Sequence, residues 1–139
     1  MFRSVGGGKT CAALCVLDYA GGDYWTAPEI AEIIIMAQQG RLVRRGSNGC
    51  DYTHGPEWLW DRVAATKLAV LDEIGIRNTV SDHQYDCLKR FCDLRASQPT
   101  IYISNLGPAE LSALYDDRIV SRICAGTMIE VSETDRRTS

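Results

Sequence analysis

The spacing of apolar and polar residues predicts helices that alternate with short strands. The clearest helix covers residues 81–95, where Tyr85, Leu88 and Phe91 recur on one helical face and Cys87 falls outside it. The other predicted helices cover residues 8–20, 28–39 and 117–124, or begin at Pro56 and Gly107.

Four apolar runs predict strands, which cover residues 23–27, 67–72, 100–104 and 127–131. Within residues 67–72, positions 68–71 are all apolar, which is typical of a strand buried on both faces. Strands that alternate with helices predict an α/β fold, in which helices cover both faces of a parallel sheet. Residues 40–55 are rich in Gly, Arg and Asn and predict a loop.

Polar residues converge on the carboxyl edge of the predicted sheet. Gly6–Thr10, the pair Asp72 and Glu73, and Asn105 are all expected there, because each adjoins the end of a strand or the start of the following helix. Open α/β sheets bind their ligands at this edge. The convergence makes these residues the candidate site.

Length and composition narrow the class of protein. The 139 residues, 45% hydrophobic, predict one domain over positions 1–139. A net charge of −3 limits any nucleic-acid contact to a local patch. The six cysteines include no C-x-x-C pair, which disfavours a metal site. Cysteines of this kind are expected in the reducing cytoplasm. The apolar run 30–37 is too short to span a membrane and no signal peptide is visible, so we expect a cytoplasmic protein without membrane contact.

The glycine-rich stretch matches the end of the phosphate-binding loop G-x-x-x-x-G-K-[ST], and its residues are Gly6, Gly7, Gly8, Lys9 and Thr10. In that loop the main-chain N–H groups surround the phosphates. Lys9 would pair with the outer phosphates, and the Thr10 hydroxyl would bind Mg²⁺. Arg3 stands where the pattern has its first glycine. The absence of an N-K-x-D motif disfavours GTP as the nucleotide.

Candidate catalytic residues follow the strands. Asp72 and Glu73 end a buried strand, where a metal beside phosphates would balance their charge. Asp72 would hold Mg²⁺, and Glu73 would orient and deprotonate a water molecule. Asn105 either holds that water or senses the γ-phosphate, or it forms a turn. Arg118 and Arg122 are one helical turn apart, and they either stabilise phosphoryl charge or form a solvated basic face.

Four longer runs then point to a family. LAVLDEIG, TIYISNLGPAEL, DDRIVSRICAG and ETDRR, in this order, resemble the AAA+ helicase loaders of the DnaC/DnaI type and their IstB-like transposition relatives. The resemblance extends from Val5 to Arg137. It implies a P-loop NTPase of the AAA+ type, a three-layer sandwich with a parallel sheet, with ATP and Mg²⁺ as ligands.

The resemblance also implies a role for each candidate. Walker A, Walker B and sensor 1 of the family fall, in turn, on Gly8-Lys9-Thr10, Asp72-Glu73 and Asn105. Arg122 matches the arginine finger that reaches the ATP of the next subunit, and Arg118 matches a supporting arginine one turn earlier. Arg137 matches an arginine near the family's C-terminus that contacts the nucleotide. A homo-oligomer with ATP at the subunit interface is therefore expected.

Residues 41–60 occupy the place where these loaders carry an inserted helix that lines the path of single-stranded DNA. The basic and aromatic residues in it are Arg41, Arg44, Arg45, Tyr52, Trp58 and Trp60. Such residues could bind the DNA backbone and stack on bases, or they could form a solvated loop beside tryptophans in the core. The implied partners are single-stranded DNA and either a replicative DNA helicase or a transposase.

The start of the chain suggests a truncation. Only Met1 and Phe2 precede Arg3, so we expect the strand before Walker A to be largely missing, together with the family's N-terminal partner-binding segment. Three functions remain open. The chain is the ATPase core of a helicase loader, an IstB-like helper of a transposase, or a truncated and catalytically silent remnant.

Overall fold

A computed structural model describes residues 8–76 and 79–131, and helices and strands alternate along them. The helices are α1 (Lys9–Ala20), α2 (Ala27–Gln38), α3 (Pro56–Ala65), α4 (Asp82–Leu94), α5 (Pro108–Leu114) and α6 (Asp117–Ile123). The strands are β1 (Asp23–Thr26), β2 (Val43–Arg45), β3 (Asp51–Thr53), β4 (Ala69–Ile74) and β5 (Thr100–Ser104). In this part of the chain, no helix combines the length and the apolar character needed to cross a membrane.

The central sheet is parallel and has the strand order β1-β4-β5. Side chains alternate between its faces. Tyr24 and its register partner Val70 point towards α1, whereas Trp25 and its partner Leu71 point towards the layer of α2, α3 and α4. Helices therefore cover both faces, and the predicted three-layer α/β architecture is confirmed. The prediction that the strand before Walker A is largely missing concerns residues 1–7, which lie outside the described part of the chain.

The larger core lies between the sheet and α2, α3 and α4. Phe91 is fully buried and meets Trp25 edge to face, with ring centroids 6.0 Å apart. Cys87 is buried too, although the helical periodicity placed it off the apolar face. That face is wider than a single stripe because α4 packs against α2, α3 and α6 as well as the sheet.

Two predicted elements differ from the structure. Residues 40–55 are not a plain loop, because β2 and β3 form an antiparallel hairpin within them. Both strands are exposed on both faces, so no apolar alternation marks them in the sequence. The predicted strand at 127–131 is reduced to a single bridge residue, Glu130, and the apolar Met128 and Ile129 remain half exposed.

A buried arginine fixes the edge of the sheet opposite to the candidate site. Arg95 is 2% exposed and donates hydrogen bonds to the main-chain oxygens of Val63, Thr66 and Pro99 and to the hydroxyl of Thr100. These bonds join the end of α3 to the turn that leads from α4 into β5. The amino end of β5 is thereby held in place, and its carboxyl end lies at the candidate site.

Candidate functional site

The helix that follows the glycine-rich stretch of the sequence begins at the carboxyl edge of the sheet. Gly8 caps α1 with φ 71°, a left-handed conformation that glycine adopts without strain, and its carbonyl accepts a 2.9 Å hydrogen bond from the N–H of Ala12. The first N–H groups of a helix and its dipole attract phosphate. Gly6 and Gly7 lie outside the described residues.

Lys9 and Asn105 are brought together from opposite ends of the chain. Lys9 is 5% exposed, and its Nζ donates a 2.8 Å hydrogen bond to Oδ1 of Asn105, which directly follows β5. Asn105 itself is exposed. The ammonium group thus lies at the end of β5, beside the N-terminus of α1, where an anionic group could approach both.

Asp72 is the hydrogen-bonding centre of the edge. The residue is 5% exposed, and Oδ2 of its carboxylate accepts hydrogen bonds from the hydroxyls of Thr10 at 2.6 Å and Tyr24 at 2.7 Å. Oδ1 accepts the N–H of Glu73 at 2.7 Å. These three donors satisfy a buried acid that would otherwise be costly. Burial and the bond to Asp72 raise the pKa of Tyr24, so this phenol stays protonated.

A bulge in β4 turns Glu73 outwards. Leu71 pairs with Tyr102 and Ile74 with Ser104, so three steps along β4 match two along β5. The extra residue lies at Asp72 and Glu73, and Glu73 takes up φ 57°, which is unusual for a residue with a side chain. Asp72 and Ile74 are buried while Glu73 is exposed. The bulge therefore points one acid inwards and its neighbour towards solvent.

The loop beyond β4 is tied to the loop beyond β5. Ser104 is buried, and its hydroxyl donates to the carbonyl of Ile74 at 2.7 Å and accepts the N–H of Leu106 at 3.1 Å. Gly75 has φ 77°, and a Cβ there would lie 2.8 Å from Cδ1 of Leu106. The segments that carry Glu73 and Asn105 are thus held together.

Sequence reasoning missed Tyr24 and Ser104. Both are polar residues in strands that end at the candidate edge. Alternation along DYWT places Tyr24 on the opposite face from Trp25, which was a usable signal. The contact with Asp72 also depends on the parallel pairing of β1 with β4, which the sequence does not specify.

The oxygen atoms of Thr10 and Asp72 fit a magnesium ion. They are hard ligands and adjoin the N-terminus of a helix that favours phosphate. Among the described residues, no group of three or more His, Cys, Asp and Glu side chains could hold a metal by itself. Mg²⁺ commonly binds through one or two protein oxygens and completes its shell with substrate phosphates and water.

The two arginines of α6 lie along α4, away from the Lys9 cluster. The hydroxyl of Tyr85 donates to Asp116, which also caps α6 through the N–H of Ile119, and this lowers the pKa of Asp116. Arg118 is exposed in the next turn. Farther along, Arg122 forms an ion pair with Asp93, at the end of α4 that leads towards the amino end of β5. Arg137 lies outside the described residues.

The hairpin of β2 and β3 carries the basic and aromatic surface. The guanidinium of Arg44 lies 4.6 Å from the ring centroid of Trp58, and the His54 ring lies 5.1 Å from it on a tilted plane. Tyr52 is 48% exposed. Trp60 is only 4% exposed, which agrees with the alternative of a tryptophan packed in the core and not with stacking on bases. One of the two tryptophans therefore belongs to the core.

Solved structures of other proteins resemble this fold, and three of them are compared with it below. DnaA from Aquifex aeolicus with AMPPCP bound superposes with a TM-score of 0.69 and 20% identity, over 94% of this chain and 38% of that one. A replication initiator DnaA bound to AMPPCP and single-stranded DNA gives 0.70 and 20%, over 96% and 40%. The DnaC helicase loader gives 0.68 and 19%, over 89% and 71%.

These similarities show the fold. The chain has an α/β P-loop NTPase fold, as the sequence predicted, and shares it with these DnaA and DnaC structures. It spans about two fifths of the two DnaA structures and 71% of the DnaC chain. No protein-family model matches the sequence, and no curated protein does.

The left-handed conformation of Glu73 predicts an unusual response to glycine. Glu73→Gly should raise the free energy of unfolding by about 1 kcal/mol relative to Glu73→Gln, because glycine adopts this φ without strain. The same replacement at Glu32, within α2, should lower it by about 1 kcal/mol. Urea denaturation measures both changes. Equal destabilisation at the two positions would contradict strain at Glu73.

Proposed function

We propose that this chain is the ATP-binding and ATP-hydrolysing AAA+ core of a DNA replication helicase loader. The observation that carries the proposal is the cluster at the carboxyl edge, where Lys9 bonds Asn105 and Thr10 bonds Asp72. The cluster unites residues separated by 96 and 62 positions in the sequence. It supplies a cation, a hydroxyl, a buried acid and an amide next to a helix N-terminus.

The residues of the edge divide the chemistry between them. Lys9 and the N–H groups of α1, with Gly6–Gly8, bind the phosphates, and Lys9 exchanges its bond to Asn105 for the outer phosphate oxygens. Held by Thr10 and Asp72, Mg²⁺ would neutralise phosphate charge. Glu73 is directed to solvent by the bulge, and its carboxylate orients the attacking water and accepts its proton. Asn105 hydrogen-bonds that water.

The arginines act between subunits in this proposal. Arg122 pairs with Asp93 near the amino end of β5, whereas Lys9 lies at its carboxyl end. Five residues of strand, roughly 16 Å, separate the two ends. Arg122 therefore serves the ATP of a neighbouring copy, supported by Arg118, and Arg137 contacts the nucleotide. The functional unit is a homo-oligomer.

Single-stranded DNA is the proposed ligand of the hairpin. Arg44 and Arg45 are exposed on β2, Tyr52 is exposed on β3, and Trp58 lies beneath Arg44. Guanidinium groups can follow the phosphate backbone, and exposed aromatic rings can stack on bases. One structure of similar fold, a replication initiator DnaA, is bound to single-stranded DNA.

A replicative helicase is the proposed protein partner. The similarity to the DnaC helicase loader supports it, since the chain covers 71% of that structure. A transposase helper would use the same ATP site, and a silent remnant would have lost it. Nucleotide binding separates the remnant from the other two functions.

Lys9→Ala should weaken ATP binding by about 100-fold, because a buried ammonium that meets phosphate is replaced by a methyl group. Isothermal titration calorimetry with ATP and Mg²⁺ measures the change. Lys89→Ala on α4, where the lysine is exposed, is the matched control and should bind as the wild type does. No heat of binding from the wild type at millimolar ATP would favour the silent remnant.

Mixing two inactive variants tests the site between subunits. Glu73→Gln and Arg122→Ala should each lower ATP turnover at least about 100-fold while sparing ATP binding. In an equal mixture, about one quarter of the interfaces combine an intact Glu73 with an intact Arg122, so activity should return towards that fraction. A phosphate-release assay measures it.

Arg62→Ala is the control for the mixture, because Arg62 already pairs with Asp23 and should be dispensable. A mixture no more active than its separate components would contradict an arginine that acts in trans.

Replacing both Arg44 and Arg45 with Ala should weaken binding of fluorescent oligo-dT. It should also reduce the slope of log affinity against log salt by about 1.4, the value for two lost phosphate contacts on single strands. Fluorescence anisotropy over a range of salt concentrations measures both quantities. The Arg62→Ala variant should keep the wild-type slope. An unchanged slope in the double variant would remove the hairpin from the DNA site.

A further inference from the structure

Asp72 has a second hydroxyl donor that the phosphate loop does not supply. The phenol of Tyr24 donates to Oδ2 of Asp72 at 2.7 Å, the same atom that accepts the Thr10 hydroxyl at 2.6 Å. The other oxygen, Oδ1, is held by the N–H of Glu73. Every donor to this carboxylate comes from a different place: α1, β1 and the bulge of β4.

The ring of Tyr24 packs in the core, whereas its hydroxyl bonds the Asp72 carboxylate. The register partner of Tyr24 on β4 is Val70, two residues before Asp72 on the same face of the sheet. The ring packs with Ala13 and Ile103 in the small core beneath α1. The hydroxyl reaches past Val70 to the carboxyl edge.

We propose that Tyr24 is a positioning residue that orients the Asp72 carboxylate for a divalent cation. The inference rests on the proposed nucleotide site. Without Tyr24, the carboxylate would be held only by Thr10 at Oδ2 and by the N–H of Glu73 at Oδ1, whereas a third donor, from β1, further restrains Oδ2 before a ligand arrives. Partners that hold a metal ligand in this way tune the affinity for the metal without touching it.

Tyr24→Phe isolates the hydroxyl, since the ring and its packing remain. Binding of ATP is measured by calorimetry in EDTA and across a series of Mg²⁺ concentrations. The half-saturating Mg²⁺ concentration should rise about 10-fold, while the affinity measured in EDTA stays at the wild-type value. Tyr19→Phe is the matched control, because Tyr19 is 95% exposed on α1 and should change neither quantity.

A second variant separates positioning from general support of the fold. Asp72→Asn removes the charged acceptor, so adding Tyr24→Phe to it should produce no further change in Mg²⁺ dependence. An additive effect in the double variant would overturn the proposal. So would a loss of ATP affinity in EDTA equal to the loss in Mg²⁺, because that result assigns Tyr24 to the fold of the pocket.

The two proposals fail in different ways. A wild-type chain that binds no ATP under either condition overturns the nucleotide site and the role of Tyr24 together. A wild type that binds ATP with Mg²⁺ dependence, matched by Tyr24→Phe within about twofold, overturns the role of Tyr24 alone.

Discussion

The candidate site depends on one extra residue in β4. Without the bulge, the side chains of β4 would alternate strictly between the two faces of the sheet, and Glu73 would pair with a residue of β5. With it, Asp72 remains buried under three donors while Glu73 is exposed at φ 57°. Strain of this kind persists only where surrounding contacts impose it. Here the bond from Glu73 N–H to Asp72 and the tie between Ser104 and Ile74 do so. One backbone irregularity thus gives adjacent acids separate environments.

Local pattern was enough to predict most elements and the edge where they meet. The buried run before Asp72, the helix starts at prolines and the position of Asn105 all follow from residues close in sequence. What the local pattern missed or left open was non-local or lacked a buried face. The β2–β3 hairpin has both faces in solvent, Trp60 is buried by elements distant in sequence, and Tyr24 meets Asp72 only through strand pairing. The roles given to the edge residues remain predictions.

The fold is supported by similarity to known structures, whereas the proposed function is supported by contacts at the site. Superposition on DnaA and DnaC structures, with TM-scores of 0.68–0.69 at 19–20% identity, shows how the chain is folded, and many chemistries share such folds. The case for phosphate chemistry comes from particular contacts, above all Lys9 with Asn105. That bond has a cost for any ligand, because an incoming phosphate must displace the amide before it gains the ammonium. The measured affinity for ATP will reflect the free energy of the phosphate–ammonium contact minus that of the Lys9–Asn105 hydrogen bond.

The ion pair between Arg122 and Asp93 makes the two edges of the sheet chemically different. It lies towards the amino edge of the sheet, and Lys9 lies at the carboxyl edge. In a two-fold symmetric dimer the same patch meets itself, so residues at opposite edges could not complete each other's sites. If Arg122 serves a neighbour's nucleotide, copies must stack head to tail. Such contacts either close into a ring or grow as a helix, and the rotation between adjacent copies decides which.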